Sequence, residues 1–205
     1  MITDWRKQFN EGDLPFLFVQ LPNLGKDPAK HESSDWAELR EAQATALKLS
    51  NTGMAVTIDV GEANNLHPHN KLAVGNRLGI TALKIAYDVD SIETSPVYKN
   101  ITLNGDSAVI TFTGNFTCKD KYGYVRGFAI AGADSIFHWA KAYLRNENTV
   151  VVYSSEIKNP VAVRYLWSGN PGKVDLYNKD GLPVGPFRTD QFKEITTGKK
   201  FSYTE

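Results

Sequence analysis

The chain has 205 residues, an apolar fraction of 41%, and Lys plus Arg balanced against Asp plus Glu at 23 each. It has room for one large domain or two small ones, and no basic field with which to draw in nucleic acid or an anionic membrane. Cys118 is the lone cysteine, which excludes an internal disulfide and any multi-cysteine metal site; a neutral or small partner fits this balance. No apolar run is long enough to span a bilayer, and the first residues lack the apolar core of a signal peptide.

Taken in order, residues 2–9 place Ile2, Trp5 and Phe9 at helical spacing, and Gly12-Asp13 ends that helix. Residues 14–21 are nearly all apolar, with Gln20 near the end, as expected of an interior strand of a parallel sheet. A polar loop leads to a Ser34 or Asp35 cap and a second helix with Trp36, Leu39, Ala42, Ala46 and Leu49 along one face. After the turn at 51–53, residues 54–60 read as a second strand buried on both faces, and Gly61 releases the chain into a polar loop. A third helix is predicted over 70–87, opened by Pro68. The order helix, strand, helix, strand, helix gives a partial parallel α/β sheet over residues 1–90. Two such strands leave unpaired edges and uncovered apolar surface, so further strands are expected from another polypeptide, from a missing half, or from the later β segment folding back.

Beyond a boundary at 90–96 the period shortens. Residues 97–103, 108–112, 127–130, 137–143, 150–153 and 162–167 are β-rich runs separated by turn signals such as Asn104-Gly105 and Asn159-Pro160, so residues 91–205 are predicted to form an antiparallel β-sandwich-like region. The Gly-, Pro- and Asn-rich tail from Gly169 is expected to wrap the surface without adding regular strands.

Chemistry concentrates at residues 54–71. Ligands of open α/β sheets bind beyond the carboxyl ends of the strands, which is where His67 falls; the plainer reading is a histidine that caps the following helix. His69 reads as solvated, with no ligand cluster nearby. Gln20 either faces substrate or satisfies backbone at the strand end. Arg40 and Gln43, one turn apart, either reach the rim of the site or, in the case of Arg40, pair on the surface with Glu41 or Asp35. Trp139, Tyr143, Tyr165 and Trp167 suit either a sugar-stacking platform or a sandwich core.

Several blocks carry a resemblance: Asp4-Trp5-Arg6, Gly12-Asp13-Leu14-Pro15-Phe16, Trp36-Ala37-Glu38-Leu39-Arg40-Glu41-Ala42-Gln43, Asn51-Thr52-Gly53-Met54-Ala55-Val56-Thr57-Ile58-Asp59 with His67-Pro68, then Lys158-Asn159-Pro160 and Leu176-Tyr177-Asn178-Lys179-Asp180-Gly181. Together they resemble the C-terminal half of the sialate O-acetylesterase family, which is similar to the SGNH hydrolases with their flavodoxin-like sheet. The resemblance implies hydrolysis of acetyl esters on sugars of the sialic acid or xylan type, without a cofactor, in proteins that are often exported or lysosomal. It implies that His67 is the general base for a serine nucleophile. The SGNH pattern has an aspartate three residues before the histidine, where this chain has Asn64; an amide orients an imidazole but stabilises imidazolium poorly. Glu62 and Asp59 are the available substitutes, Glu62 ahead because it shares the loop with His67. Gln20, Arg40, Gln43 and Asn64 are then candidates for substrate binding.

The family's serine lies in a Gly-Gln-Ser-Asn block that this sequence lacks, together with the expected oxyanion donors, so the chain is expected to be a fragment of an esterase with little activity alone. The alternative is a non-catalytic carbohydrate-binding or structural module derived from such an esterase.

Overall fold

The computed structural model describes residues 1–28, 31 and 33–199. Helix α1 (Ile2–Phe9) leads to strand β1 (Phe16–Val19), helix α2 (Asp35–Thr45) with an added 3-10 turn, strand β2 (Thr52–Ala55) and helix α3 (Lys71–Ile85). Ser34 caps α2 as the sequence offers, its Oγ accepting from Ala37 N–H, whereas α3 is opened by Asn70, whose Oδ1 accepts from Ala73 N–H, and Pro68 stands outside the helix in the loop before it. β1 and β2 pair in parallel, Phe16 beside Thr52 through Val19 beside Ala55. Both strands are shorter than their apolar runs because side chains take over from the ladder at their carboxyl ends. There Thr57 Oγ donates to Gln20 O at 2.6 Å while residues 56–58 stay buried. A Cβ at Gly53 would meet Thr81 and Ile85 of α3, so the small residue is what lets that helix lie against the sheet.

The remaining strands are β3 (Tyr98–Asn104), β4 (Ser107–Phe112), β5 (Thr117–Cys118), β6 (Phe128–Ala131), β7 (Phe137–Trp139), β8 (Lys141–Asn146), β9 (Thr149–Tyr153), β10 (Ala162–Tyr165), β11 (Leu176–Tyr177) and β12 (Phe187–Arg188). They form antiparallel sheets in the orders β3-β4-β9-β8, β12-β10-β6-β7 and β11-β5. The run read as one strand at 137–143 divides at Ala140, where the chain steps from the sheet of β6 to that of β9. The fold is thus mixed α/β, a small parallel sheet followed by several antiparallel ones. Met54, Val56 and Ile58 join Phe112, Phe128, Ile130 and Leu176 in a single apolar cluster.

Two expectations are corrected. The tail does not wrap the surface: β11 and β12 add to sheets, and Val174, Leu176, Val184 and Phe187 are buried, Phe187 stacked on Tyr98 at 4.8 Å. Its turn residues space strands only two residues long, which leave no readable period. The apolar stripe of α2 does not face the core either. Leu39 is 50% exposed, and Ala42 and Leu49 are also exposed, whereas Ala37, Glu38 and Arg40 are buried.

Candidate functional site

The loop over 56–70 leaves the carboxyl end of β2 and carries His67, and its main chain is tied down on both sides. Gly61 N–H donates to Asn23 Oδ1 at 2.7 Å, and Ala63 O accepts from Gly25 N–H at 2.9 Å. Asn23 Nδ2 in turn donates to Asn170 Oδ1, and Asn170 Nδ2 donates to Gly25 O. A Cβ at Gly61 would lie 2.2 Å from Asn23 O, so the loop approaches the 22–28 segment as only glycine allows. His67 stands on this frame with its N–H donated to Asn65 Oδ1 at 2.9 Å and its side chain exposed. Pro68 beside it is buried, which holds the approach to α3.

The carboxylates considered as partners of His67 are placed elsewhere. Glu62 turns to His69, accepting from its backbone N–H at 2.9 Å and lying 2.6 Å from its Nδ1. The His69 N–H is the chief reason the Glu62 carboxyl sits below its ordinary range. His69 is exposed, yet held in place by Glu62 through its ring and its backbone N–H. Asp59 receives both terminal nitrogens of Arg77, at 2.5 and 2.8 Å, and the Tyr177 hydroxyl at 2.8 Å. Burial first, and the Asp59 charge second, push the Tyr177 hydroxyl well up, so it remains a donor. Asn64 is exposed in the turn between Glu62 and Asn65. Among the described residues no hydrogen-bond partner meets the His67 ring.

The three residues of the other cluster meet one another but not His67. Arg40 is fully buried, against the expectation of a surface ion pair. Its guanidinium donates to Leu21 O at 2.9 Å, Pro22 O at 2.7 Å, Ser168 O at 2.6 Å and Gly169 O at 2.7 Å. Four carbonyls converge there because two loops end at that point, and only a planar fork of donors satisfies them all. Desolvation pulls its pKa to about 9, so it stays charged at neutrality. Gln20 Nε2 donates to Arg40 O at 3.2 Å, the backbone-satisfying role. Gln43 braces the outer edge of β1, accepting from Leu21 N–H at 2.9 Å and donating to Val19 O at 3.4 Å.

Sequence reasoning passed over Arg77, Asn23 and Asn170, which organise the loop. Arg77 was findable, since it lies one turn from Thr81 on the α3 face otherwise turned to the sheet; the two asparagines give no local signal, because they meet across 147 residues.

No protein-family model matches the chain, and no curated protein matches it. Among solved structures, the crystal structure of a carbohydrate acetylesterase from Xanthomonas citri matches with a TM-score of 0.87 and 44% identity over 94% of this chain. Nearly the whole chain is similar to part of a carbohydrate acetylesterase. It spans 45% of that acetylesterase's length. The likeness takes in both the parallel and the antiparallel sheets, since it leaves out so little of the sequence.

Proposed function

We propose that this chain is the histidine-bearing part of a carbohydrate O-acetylesterase that removes acetyl groups from sugars of the sialic acid or xylan type. The observation that carries the reading is the 44% identity, over 94% of the chain, to a carbohydrate acetylesterase more than twice as long. The placement of His67 agrees with it: an exposed imidazole on a braced loop at the carboxyl end of a parallel strand is open to a second group. In this mechanism a serine hydroxyl supplied from polypeptide outside the chain gives its proton to His67 and attacks the acetyl carbonyl. The imidazolium then protonates the departing sugar oxygen, and water releases acetate from the acyl-enzyme. With Glu62 held by His69 and Asp59 by Arg77, the carboxylate that steadies the imidazolium comes with the complementary part, or the chain does without one.

The supplier of that part meets the open side of the parallel sheet. β1 sends its even-numbered N–H groups to β2, Gln20 to Ala55 O for example, so the backbone groups of Leu17 and Val19 face the other way, along an edge with no strand beside it among the described residues and with the Gln43 side chain on its Val19–Leu21 end. A parallel strand from the missing half, or from an oligomer partner, would continue the sheet there.

The test is to mix the chain with a serine-bearing N-terminal part of such an esterase and to measure acetate released from 9-O-acetylated sialic acid and from acetylated xylan. Acetate should appear only in the mixture and should be lost with His67→Ala. A mixture that forms a complex yet releases no acetate from either substrate, or retains full activity with His67→Ala, rules the reading out.

A further inference from the structure

We infer that the Tyr177 hydroxyl is a positioning group for the His67 loop, so that the antiparallel part of the chain fixes where the proposed base stands. The inference rests on the acetylesterase reading above and names a residue that serves it from outside the parallel sheet. The loop leaves from one side of an ion pair and runs into the element that carries the other side. Asp59 lies just beyond β2, Arg77 lies on α3, and residues 60–70, His67 among them, connect Asp59 to the start of that helix. The Arg77 guanidinium reaches back across this root, donating to Val56 O at 2.8 Å and to the two Asp59 oxygens at 2.5 and 2.8 Å. The two side chains are only 10% and 12% exposed, so water competes little for the pair.

Two parallel N–H···O bonds keep a carboxylate in the plane of a guanidinium and resist tilting out of that plane less well. The Tyr177 hydroxyl supplies a third donor, 2.8 Å from Asp59 Oδ2, and it comes from a different part of the fold. Tyr177 has little freedom of its own. It is 8% exposed, it stands beside Thr117 in the β11–β5 pair, Val184 N–H donates to Leu176 O next to it, and Lys119 Nζ lies 3.3 Å over the centre of its ring. The hydroxyl is given to Asp59, and among the described residues no hydrogen bond joins it to the His67 ring, so it acts through the loop. The ties of Gly61 to Asn23 and of Ala63 to Gly25 begin two residues after Asp59, and a root that tilts would strain each of them in turn.

The experiment compares Tyr177→Phe, which keeps the ring and removes only the hydroxyl, with Lys119→Met, which removes the charge over the ring and keeps the hydroxyl. Amide hydrogen exchange of the full chain, followed by NMR, reads the loop without any substrate. In Tyr177→Phe the Gly61 and Gly25 amides, the two donors that tie the loop to residues 22–28, should exchange about tenfold faster, while those of the β4–β9 ladder keep their rates. In Lys119→Met all of them should match the wild type. In the mixture with a serine-bearing part, Tyr177→Phe should lower kcat about tenfold and leave KM within about twofold, because a misplaced base slows the chemical step more than it weakens binding. Unchanged exchange at Gly61 and Gly25, exchange that quickens equally throughout the chain, the same acceleration in Lys119→Met, or faster loop exchange with kcat unchanged would each overturn the inference. A wild-type mixture that forms a complex and releases no acetate counts against the esterase reading, and the exchange rates alone then decide whether Tyr177 holds the loop.

Discussion

The outer surfaces of the two parts of this molecule are built from different side chains. On the parallel-sheet part most of the exposed large residues lack a polar tip, Met1, Phe9, Leu39, Leu49, Leu66, Leu72 and Leu83 against Trp5 and Tyr87; on the antiparallel part Tyr122, Tyr124, Trp139, Tyr143 and Tyr153 carry one, beside Leu103, Ile136, Val161 and Ile195. Both surfaces expose large side chains, yet the first suits burial under more polypeptide and the second suits repeated contact with something wet. The difference teaches that exposure alone does not define a partner. Between the two surfaces runs a seam that is buried and polar: Arg40 on Ser168 and Gly169, Asp59 on Tyr177, and Glu38 accepting from Ile195 and Thr196 N–H.

The strongest way to break the contrast is to open the seam. Arg40→Met removes donors from four carbonyls at once and should cost about 3–5 kcal/mol in chemical denaturation, releasing both loops together. Asp59→Asn leaves the buried Arg77 charge without its carboxylate and should cost about 3 kcal/mol, with Tyr177 fluorescence reporting the altered hydroxyl. A pH titration comes next. His31 packs its ring 4.9 Å from Phe137 and 5.6 Å from Trp139, and burial, then the nearby Arg164 charge, lower its pKa from 6.5 to about 4. Between those values the unfolded chain binds a proton that the folded chain refuses. Stability should therefore fall by about 2 kcal/mol as pH drops from 6.5 to 4, and His31→Phe should flatten that decline in a urea-denaturation series. The smallest effect sharpens the contrast from outside: Leu39→Ser should change the stability of the isolated chain by less than about 0.5 kcal/mol while weakening its association with a complementary half, measured by sedimentation.

Periodicity revealed the three helices, the two parallel strands and most of the antiparallel ones, because each of those segments is long enough to show a repeat. It failed on β5, β11 and β12, where two residues form a strand and only tertiary contact defines it. The α2 stripe shows a different limit. Apolar spacing correctly announced a helix and then pointed the wrong way, since Arg40 and Glu38 are drawn inward by unsatisfied backbone that no local window contains. At the site, the position of His67 was legible from the strand that precedes it. The allegiances of Glu62 and Asp59 were not, because nearness in sequence favoured His67 while geometry gave them to His69 and Arg77.

Gly61 and its contact with Asn23 have one more consequence. A main chain pinned at Gly61, Ala63 and Asn65 leaves His67 with little to move except its own two side-chain torsions, which is what the proposed role would ask of an imidazole that passes a proton between two oxygens. The ring is a hinge pin set in masonry: the backbone beneath it is fixed, and the side chain alone is left to turn.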